Sequence, residues 1–111
     1  MNITRDYKQT INERVNKDPA FMAAMLDEAI TLFLNEEPEV ARLVLRDLVN
    51  ATVGFETLAV ELDKPSKSLH RMLSARGNPT MDNLTKIIGV LRKQLGLDIE
   101  VHTSPSRAAR A

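Results

Sequence analysis

The 111-residue chain contains no cysteine and no tryptophan, and only three phenylalanines and one tyrosine. The absence of cysteine excludes disulfide bonds, thiolate metal sites and cysteine nucleophiles. Because aromatic residues are scarce, the core must be built from aliphatic side chains and methionine, a composition that suits packed helices better than a sheet sandwich. No apolar run reaches the roughly 18 residues that cross a bilayer, and the amino terminus lacks the apolar stretch of a signal peptide. A cytoplasmic protein is therefore expected.

Side chains suited to catalysis or to metal binding are sparse. There are only two histidines, His70 and His102, and they do not have a metal-ligand spacing. The chain also lacks a glycine-rich phosphate loop and a nucleophile elbow. We therefore expect a protein without enzymatic activity, and without a metal or cofactor.

The charges balance overall but are unevenly distributed. Fifteen basic residues match fifteen acidic ones, yet residues 64–93 contain seven basic side chains and one acidic side chain. A basic segment of this kind favours a polyanionic partner. An acidic region precedes it, and this region is either a solvated helix surface or a docking surface for a basic protein. Its carboxylates are Asp27, Glu28, Glu36, Glu37, Glu39 and Asp47.

Helical periodicity predicts an all-α fold of five or six helices, five of them within a domain at residues 18–102. Asp18-Pro19 is typical of a helix start, because aspartate caps the first turn and proline fits the first helical position. A second helix begins near Pro38 and ends near Gly54, where glycine permits a left-handed backbone. The last helix, residues 81–95, has apolar side chains at the i, i+3, i+4 and i+7 spacing of one helical face.

The two ends of the chain carry weaker signals. Residues 1–17 have apolar side chains at four-residue intervals, which is typical of either a first amphipathic helix or an arm ordered by a partner. Residues 97–102 alternate apolar and polar side chains and predict one short β-strand. Because an unpaired strand edge favours association, this strand predicts either a homodimer or pairing with a partner protein. Residues 103–111 are small, polar and basic, and are expected to be disordered.

The central stretch, residues 55–79, predicts two short helices joined by a tight turn. Pro65 stops the first helix, and Asp63 tolerates the left-handed conformation that such a turn needs. Ser66 is expected to cap the second helix, which runs from Lys67 to about Ala75. The side chains expected to pack the two helices together are Leu58, Ala59, Leu62, Leu69 and Met72.

The outer face of the second helix and the turn after it carry cations and small hydrogen-bonding groups, but no acid. Such a face suits the major groove of DNA, where arginine can bond bidentately to guanine. The candidate DNA-binding residues are Ser66, Lys67, Ser68, His70, Arg71, Ser74, Arg76 and Asn78. Lys86, Arg92 and Lys93 are candidates for flanking phosphate contacts. The alternative is an ordinary helical hairpin with a solvated basic face.

The same residues carry a family resemblance, which covers roughly residues 18–102. The serine-rich second helix and its G-N-P turn resemble the Xre-type helix-turn-helix domains of phage repressors, and more narrowly the probable addiction-module antidote proteins. Two positions depart from the family pattern, since Asp63 replaces the usual turn glycine and Lys64 follows it in place of an apolar residue. The matching residues are Ser66, Ser68, Leu69, Arg71, Leu73, Ser74, Gly77, Asn78 and Pro79.

The resemblance implies a lambda-repressor-like helix-turn-helix domain that regulates transcription by binding an operator in double-stranded DNA. It also implies an antitoxin that neutralises a small basic toxin protein with ribonuclease activity. The alternative is a protein-interaction module that neutralises a basic partner without specific DNA binding.

Overall fold

The computed structural model describes residues 18–107. This part of the chain contains five α-helices and no β-strand, which confirms the prediction of an all-α fold for the described residues. The predictions for residues 1–17, and for the end of the tail at 108–111, lie outside them. The helices are α1 (Pro19–Leu34), α2 (Pro38–Ala51), α3 (Gly54–Leu62), α4 (Ser66–Met72) and α5 (Met81–Leu95).

Local capping explains where the two longest helices begin. The Asp18 carboxylate accepts a hydrogen bond from the Phe21 amide at 3.1 Å, and Pro19 takes the first helical position, as the sequence predicts. The Thr80 hydroxyl oxygen accepts from the Asn83 amide at 3.1 Å and caps α5 in the same way. These caps satisfy amide groups that have no partner within the first turn of a helix.

All five helices contribute to one core that is almost entirely aliphatic. α1 packs along α2, and α3 contacts α2, α4 and α5. Phe55, at the start of α3, is the single aromatic member of the buried set within residues 18–107. The core therefore holds α3 and α4 on a base formed by the longer helices. Its buried members are Leu26, Ala29, Leu45, Leu48, Val49, Phe55, Leu58, Leu69, Leu73, Ile87 and Leu91.

The strand expected at residues 97–102 is not present. Leu97 packs against the core, and its carbonyl accepts a hydrogen bond from Arg92 Nη1 at 3.2 Å. Beyond it, Ile99 and Val101 do not face the helices but are exposed, at 36% and 62% of their surface. A strand requires hydrogen bonds to a neighbouring strand. The described part of this single chain provides no such neighbour, so alternation alone is not enough to form one.

Candidate nucleic-acid interface

A three-residue turn, Asp63 to Pro65, joins α3 to α4. Asp63 adopts the left-handed conformation that the sequence predicts, with φ 51° and ψ 50°. Its amide donates to the Val60 carbonyl at 3.3 Å, and the Lys64 amide donates to the Ala59 carbonyl at 3.1 Å. These bonds satisfy the last carbonyls of α3, so the helix ends where the chain must reverse towards α4.

The bounds of α4 differ from the sequence prediction at both ends. Ser66 is the first helical residue rather than the N-cap, which is Pro65, and no side chain caps this end. The Pro65 carbonyl accepts from the amides of Ser68 at 3.0 Å and Leu69 at 3.3 Å. α4 ends at Met72, three residues before the predicted Ala75. The helix is therefore short, and three of the eight candidate contact residues lie in the segment after it.

The five residues expected to pack α3 against α4 all lie on or beside the core. Leu58 and Leu69 are fully buried. Ala59, Leu62 and Met72 are partly buried and pack against the same buried cluster. This arrangement fixes the side of α4 that faces inward and leaves its remaining side chains at the surface.

The candidate contact residues on α4 differ in how far their side chains are exposed. Lys67 and Arg71 are exposed, and neither takes part in the two ion pairs found in the described residues, which are Arg92–Asp98 and His102–Glu100. Ser66 and Ser68 are partly buried.

His70 is exposed but not freely solvated. Its imidazole ring stacks on the buried ring of Phe55, with a centroid distance of 3.8 Å and an interplanar angle of 19°. The stack covers Phe55 and holds His70 against the start of α3. One face of the imidazole is therefore already occupied, unlike the side chains of Lys67 and Arg71.

The segment after α4 is held by internal hydrogen bonds. The Ser74 hydroxyl donates to the Arg71 carbonyl at 2.8 Å, and the Gly77 amide donates to the Ser74 carbonyl at 3.0 Å. Arg76 and Asn78 are exposed on either side of the buried Gly77. The Ser74 side chain is thus engaged within the protein, whereas Arg76 and Asn78 face solvent.

Gly77, the first residue of the G-N-P turn, is not a helix C-cap. It lies five residues beyond the end of α4, and its backbone is not left-handed. A Cβ atom at this position would overlap the carbonyl oxygens of Arg71 and Met72. Glycine is therefore required here because the chain passes directly over the last turn of α4.

Arg42, on α2, is a contributor to this region that the sequence pattern does not identify. Its Nε donates to the Ser74 carbonyl at 2.9 Å, and its Nη2 donates to the Ala75 carbonyl at 2.7 Å. The partners are 32 and 33 residues away along the chain. The sequence pattern does not connect Arg42 with these partners. An arginine between the apolar positions of a helix is usually a solvated side chain.

The flanking cations on α5 are not equivalent. Lys86 and Lys93 are exposed and line a groove of about 410 Å³ between α3 and α5, which Glu61 also lines. Arg92 is partly buried, and its guanidinium bonds to the Leu97 carbonyl and lies 3.4 Å from the Asp98 carboxylate. Lys86 and Lys93 are therefore better placed than Arg92 to contact an external anion.

Neither a metal site nor a membrane-spanning helix is found in the described residues, and the comparisons with known proteins identify no relative. Within residues 18–107, no group of three or more histidine, cysteine, aspartate or glutamate side chains could hold a metal ion. No helix of that range is both long enough and apolar enough to cross a membrane. Comparisons of the chain with protein-family models, with curated proteins and with solved structures gave no match.

Proposed function

We propose that the protein is a sequence-specific DNA-binding transcriptional regulator in which α3 and α4 form a helix-turn-helix and α4 is the recognition helix. The observation that carries this proposal is the exposed face of α4 and the segment after it. Lys67, Arg71, Arg76 and Asn78 are exposed there, and no acidic residue lies between positions 64 and 81. This surface offers donors and positive charge, as the phosphates and the guanine edges of DNA require.

The dimensions of α4 are consistent with this role. With its side chains an α-helix is about 10–12 Å in diameter, which fits a major groove about 12 Å wide. Leu69 and Leu73 anchor the helix in the core, so its outer side chains are presented from a rigid base. Within residues 18–107 neither Lys67 nor Arg71 forms an ion pair, so no ion pair of that part of the chain must be broken before they contact DNA.

The test begins with wild-type protein and a random-sequence pool of DNA duplexes. Duplexes enriched by the protein are compared with scrambled duplexes of the same composition at several salt concentrations. We expect Lys67→Ala combined with Arg71→Ala to lower affinity for the selected duplex at least about tenfold, because each good base contact contributes about 1–3 kcal/mol of discrimination. Thermal stability should change little, since both side chains are exposed.

Lys86→Ala combined with Lys93→Ala is the matched control, because it also removes two exposed cations. This pair should weaken binding to selected and scrambled duplexes alike, since phosphate contacts carry no sequence information. If the Lys67/Arg71 double variant binds the selected duplex as wild type does, α4 is not the recognition helix.

The biological setting that we propose is an antitoxin that also represses its own operator in the cytoplasm. This part rests on the family resemblance of residues 66–79 and includes a small basic toxin as partner. The exposed carboxylates of Asp27 and Glu28 on α1 would suit such a partner. They also support the second candidate, a module that binds a basic protein without specific DNA binding. That candidate is favoured if wild-type protein enriches no duplex.

A homodimer is part of the proposal, because two recognition helices would read two half-sites about 34 Å apart. The exposed side chains of Ile99 and Val101 leave the segment after α5 available to pair with its copy in a second chain. We expect the full-length protein to be dimeric in solution and a chain truncated after Gly96 to be monomeric, as measured by light scattering. Dimers of equal strength in both would place the interface on the helices.

A further inference from the structure

The guanidinium of Arg42 binds two consecutive backbone carbonyls beyond the end of α4. Nε and Nη2 donate at 2.9 Å and 2.7 Å to the carbonyls of Ser74 and Ala75. The planar fork of arginine suits two neighbouring acceptors, whereas the ammonium group of lysine offers no such fixed geometry. Arg42 therefore ties α2 directly to the segment that leaves α4.

This contact falls where α4 most needs support. A helix of seven residues is not stable by itself, and its last carbonyls carry partial negative charge. The Ser74 carbonyl accepts from both Arg42 Nε and the Gly77 amide, so the two bonds fix the same peptide group. The direction in which the chain leaves α4 thus depends on Arg42 as well as on Gly77.

Arg42 lies in the acidic part of the sequence, yet its hydrogen-bond partners are backbone carbonyls. Residues 18–63 contain ten acidic side chains and only two basic ones, Arg42 and Arg46. Even so, neither ion pair in the described part of the chain involves Arg42. Its Nε and Nη2 groups donate to backbone carbonyls of the basic region, and not to a carboxylate of residues 18–63.

We propose that Arg42 is a positioning residue of the DNA-binding interface. It holds the α4 exit segment, defined as residues 73–78, against α2 and so sets the place of Arg76 and Asn78 relative to α4. Arg42 acts through this segment and does not contact DNA. The inference rests on the proposed function, because it assigns a role within the same interface.

The first arm of the test needs no DNA. Amide hydrogen exchange is measured by NMR for wild type, Arg42→Met, Arg42→Lys and the control Arg46→Met. Arg46 lies one turn along α2, is partly buried, and forms no side-chain hydrogen bond or ion pair within residues 18–107. We expect exchange of the Gly77 amide to accelerate about tenfold or more in both Arg42 variants, since bonds to a charged donor are stronger than neutral ones. The Arg46 variant should match wild type.

The second arm measures binding to the selected and scrambled duplexes at several salt concentrations, at a temperature where every variant is folded. Arg42→Met should lower affinity for the selected duplex by about tenfold, with the same dependence of log K on log salt as wild type, because Arg42 releases no counterions from DNA. Arg76→Met should instead reduce that slope by about 1 if Arg76 contacts a phosphate. A role confined to stability would not lower the affinity of protein that is fully folded.

Three results would overturn the inference. The first is a Gly77 amide exchange rate that is unchanged in the Arg42 variants. The second is faster exchange of that amide with unchanged affinity for the selected duplex. The third is a smaller slope of log K against log salt for Arg42→Met, which would make Arg42 a direct phosphate contact. If Arg42→Met does not fold, Arg42→Lys carries both arms. If wild-type protein enriches no duplex, the proposed function fails and the positioning role fails with it. That case is recognised from the wild type alone, whatever the exchange data show.

Discussion

The chain has two regions of opposite charge that meet at the turn between α3 and α4. Residues 18–63 carry ten acidic and two basic side chains, whereas residues 64–93 carry seven basic and one acidic. The zero net charge of the whole chain therefore conceals formal charges of −8 and +6 on adjacent regions. The net charge of the whole chain therefore argues neither for nor against a polyanionic partner. The quantity that bears on such a partner is the distribution of charge along the chain.

The two regions are distinct at the surface but not in the interior. The buried cluster takes Leu45 and Leu58 from the acidic region and Leu69 and Leu91 from the basic region. Arg42 adds a polar link, since it reaches from α2 to carbonyls of the basic region. The difference in charge is therefore a property of the surface, and it does not mark a boundary between domains.

The largest expected effect comes from breaking the core that the two regions share. Leu69 is the buried anchor of α4, and Leu69→Ala should lower the free energy of unfolding by about 2–5 kcal/mol. Val60 is 81% exposed on α3, so Val60→Ala should change the free energy of unfolding by less than about 0.5 kcal/mol. Urea denaturation of both variants measures the difference. Equal midpoints would show that α4 is not anchored through Leu69.

A smaller effect is expected inside the basic region, where two glycines should respond with opposite sign. Gly77→Ala places a Cβ against two backbone carbonyls and should destabilise by about 1–3 kcal/mol. Gly89 lies within α5 with open space around its Cβ position, so Gly89→Ala should stabilise by about 0.5–1 kcal/mol. Thermal unfolding followed by circular dichroism measures both. A stabilising Gly77→Ala would contradict the close approach over α4.

The smallest effect compares two turns that use left-handed residues other than glycine. Glu36, between α1 and α2, has φ 66°, and Asp63, between α3 and α4, has φ 51°. Glu36→Gly should stabilise by up to about 1 kcal/mol, because glutamate has no local means of offsetting the left-handed strain. Asp63→Gly should gain less, since aspartate tolerates this conformation. Chemical denaturation distinguishes the two, and a larger gain at Asp63 would reverse the comparison.

Local patterns account for what was correctly predicted from the sequence. The apolar spacing within each helix, the Asp18 cap and the left-handed Asp63 involve residues within one or two turns of each other. The resemblance and the charge distribution also come from the sequence, and they identify the candidate surface on α4. The proposed role of that surface depends on residue types, which the sequence shows directly.

Contacts between distant segments account for what was missed. The pattern extends α4 to Ala75, but the chain leaves the helix at Met72 to pass over its last turn. It also predicts a strand at residues 97–102, although a strand depends on a partner that periodicity does not report.

The sequence by itself determined the helical class of the described residues, most of the core and the two charged regions, because these follow from side-chain type and short-range spacing. Tertiary structure decided the exit of α4, the stacking of His70 on Phe55 and the bonds from Arg42 to Ser74 and Ala75. The physical reason is that backbone carbonyls are the same at every position. Which of them an arginine reaches depends on how the helices pack, and no residue code specifies it.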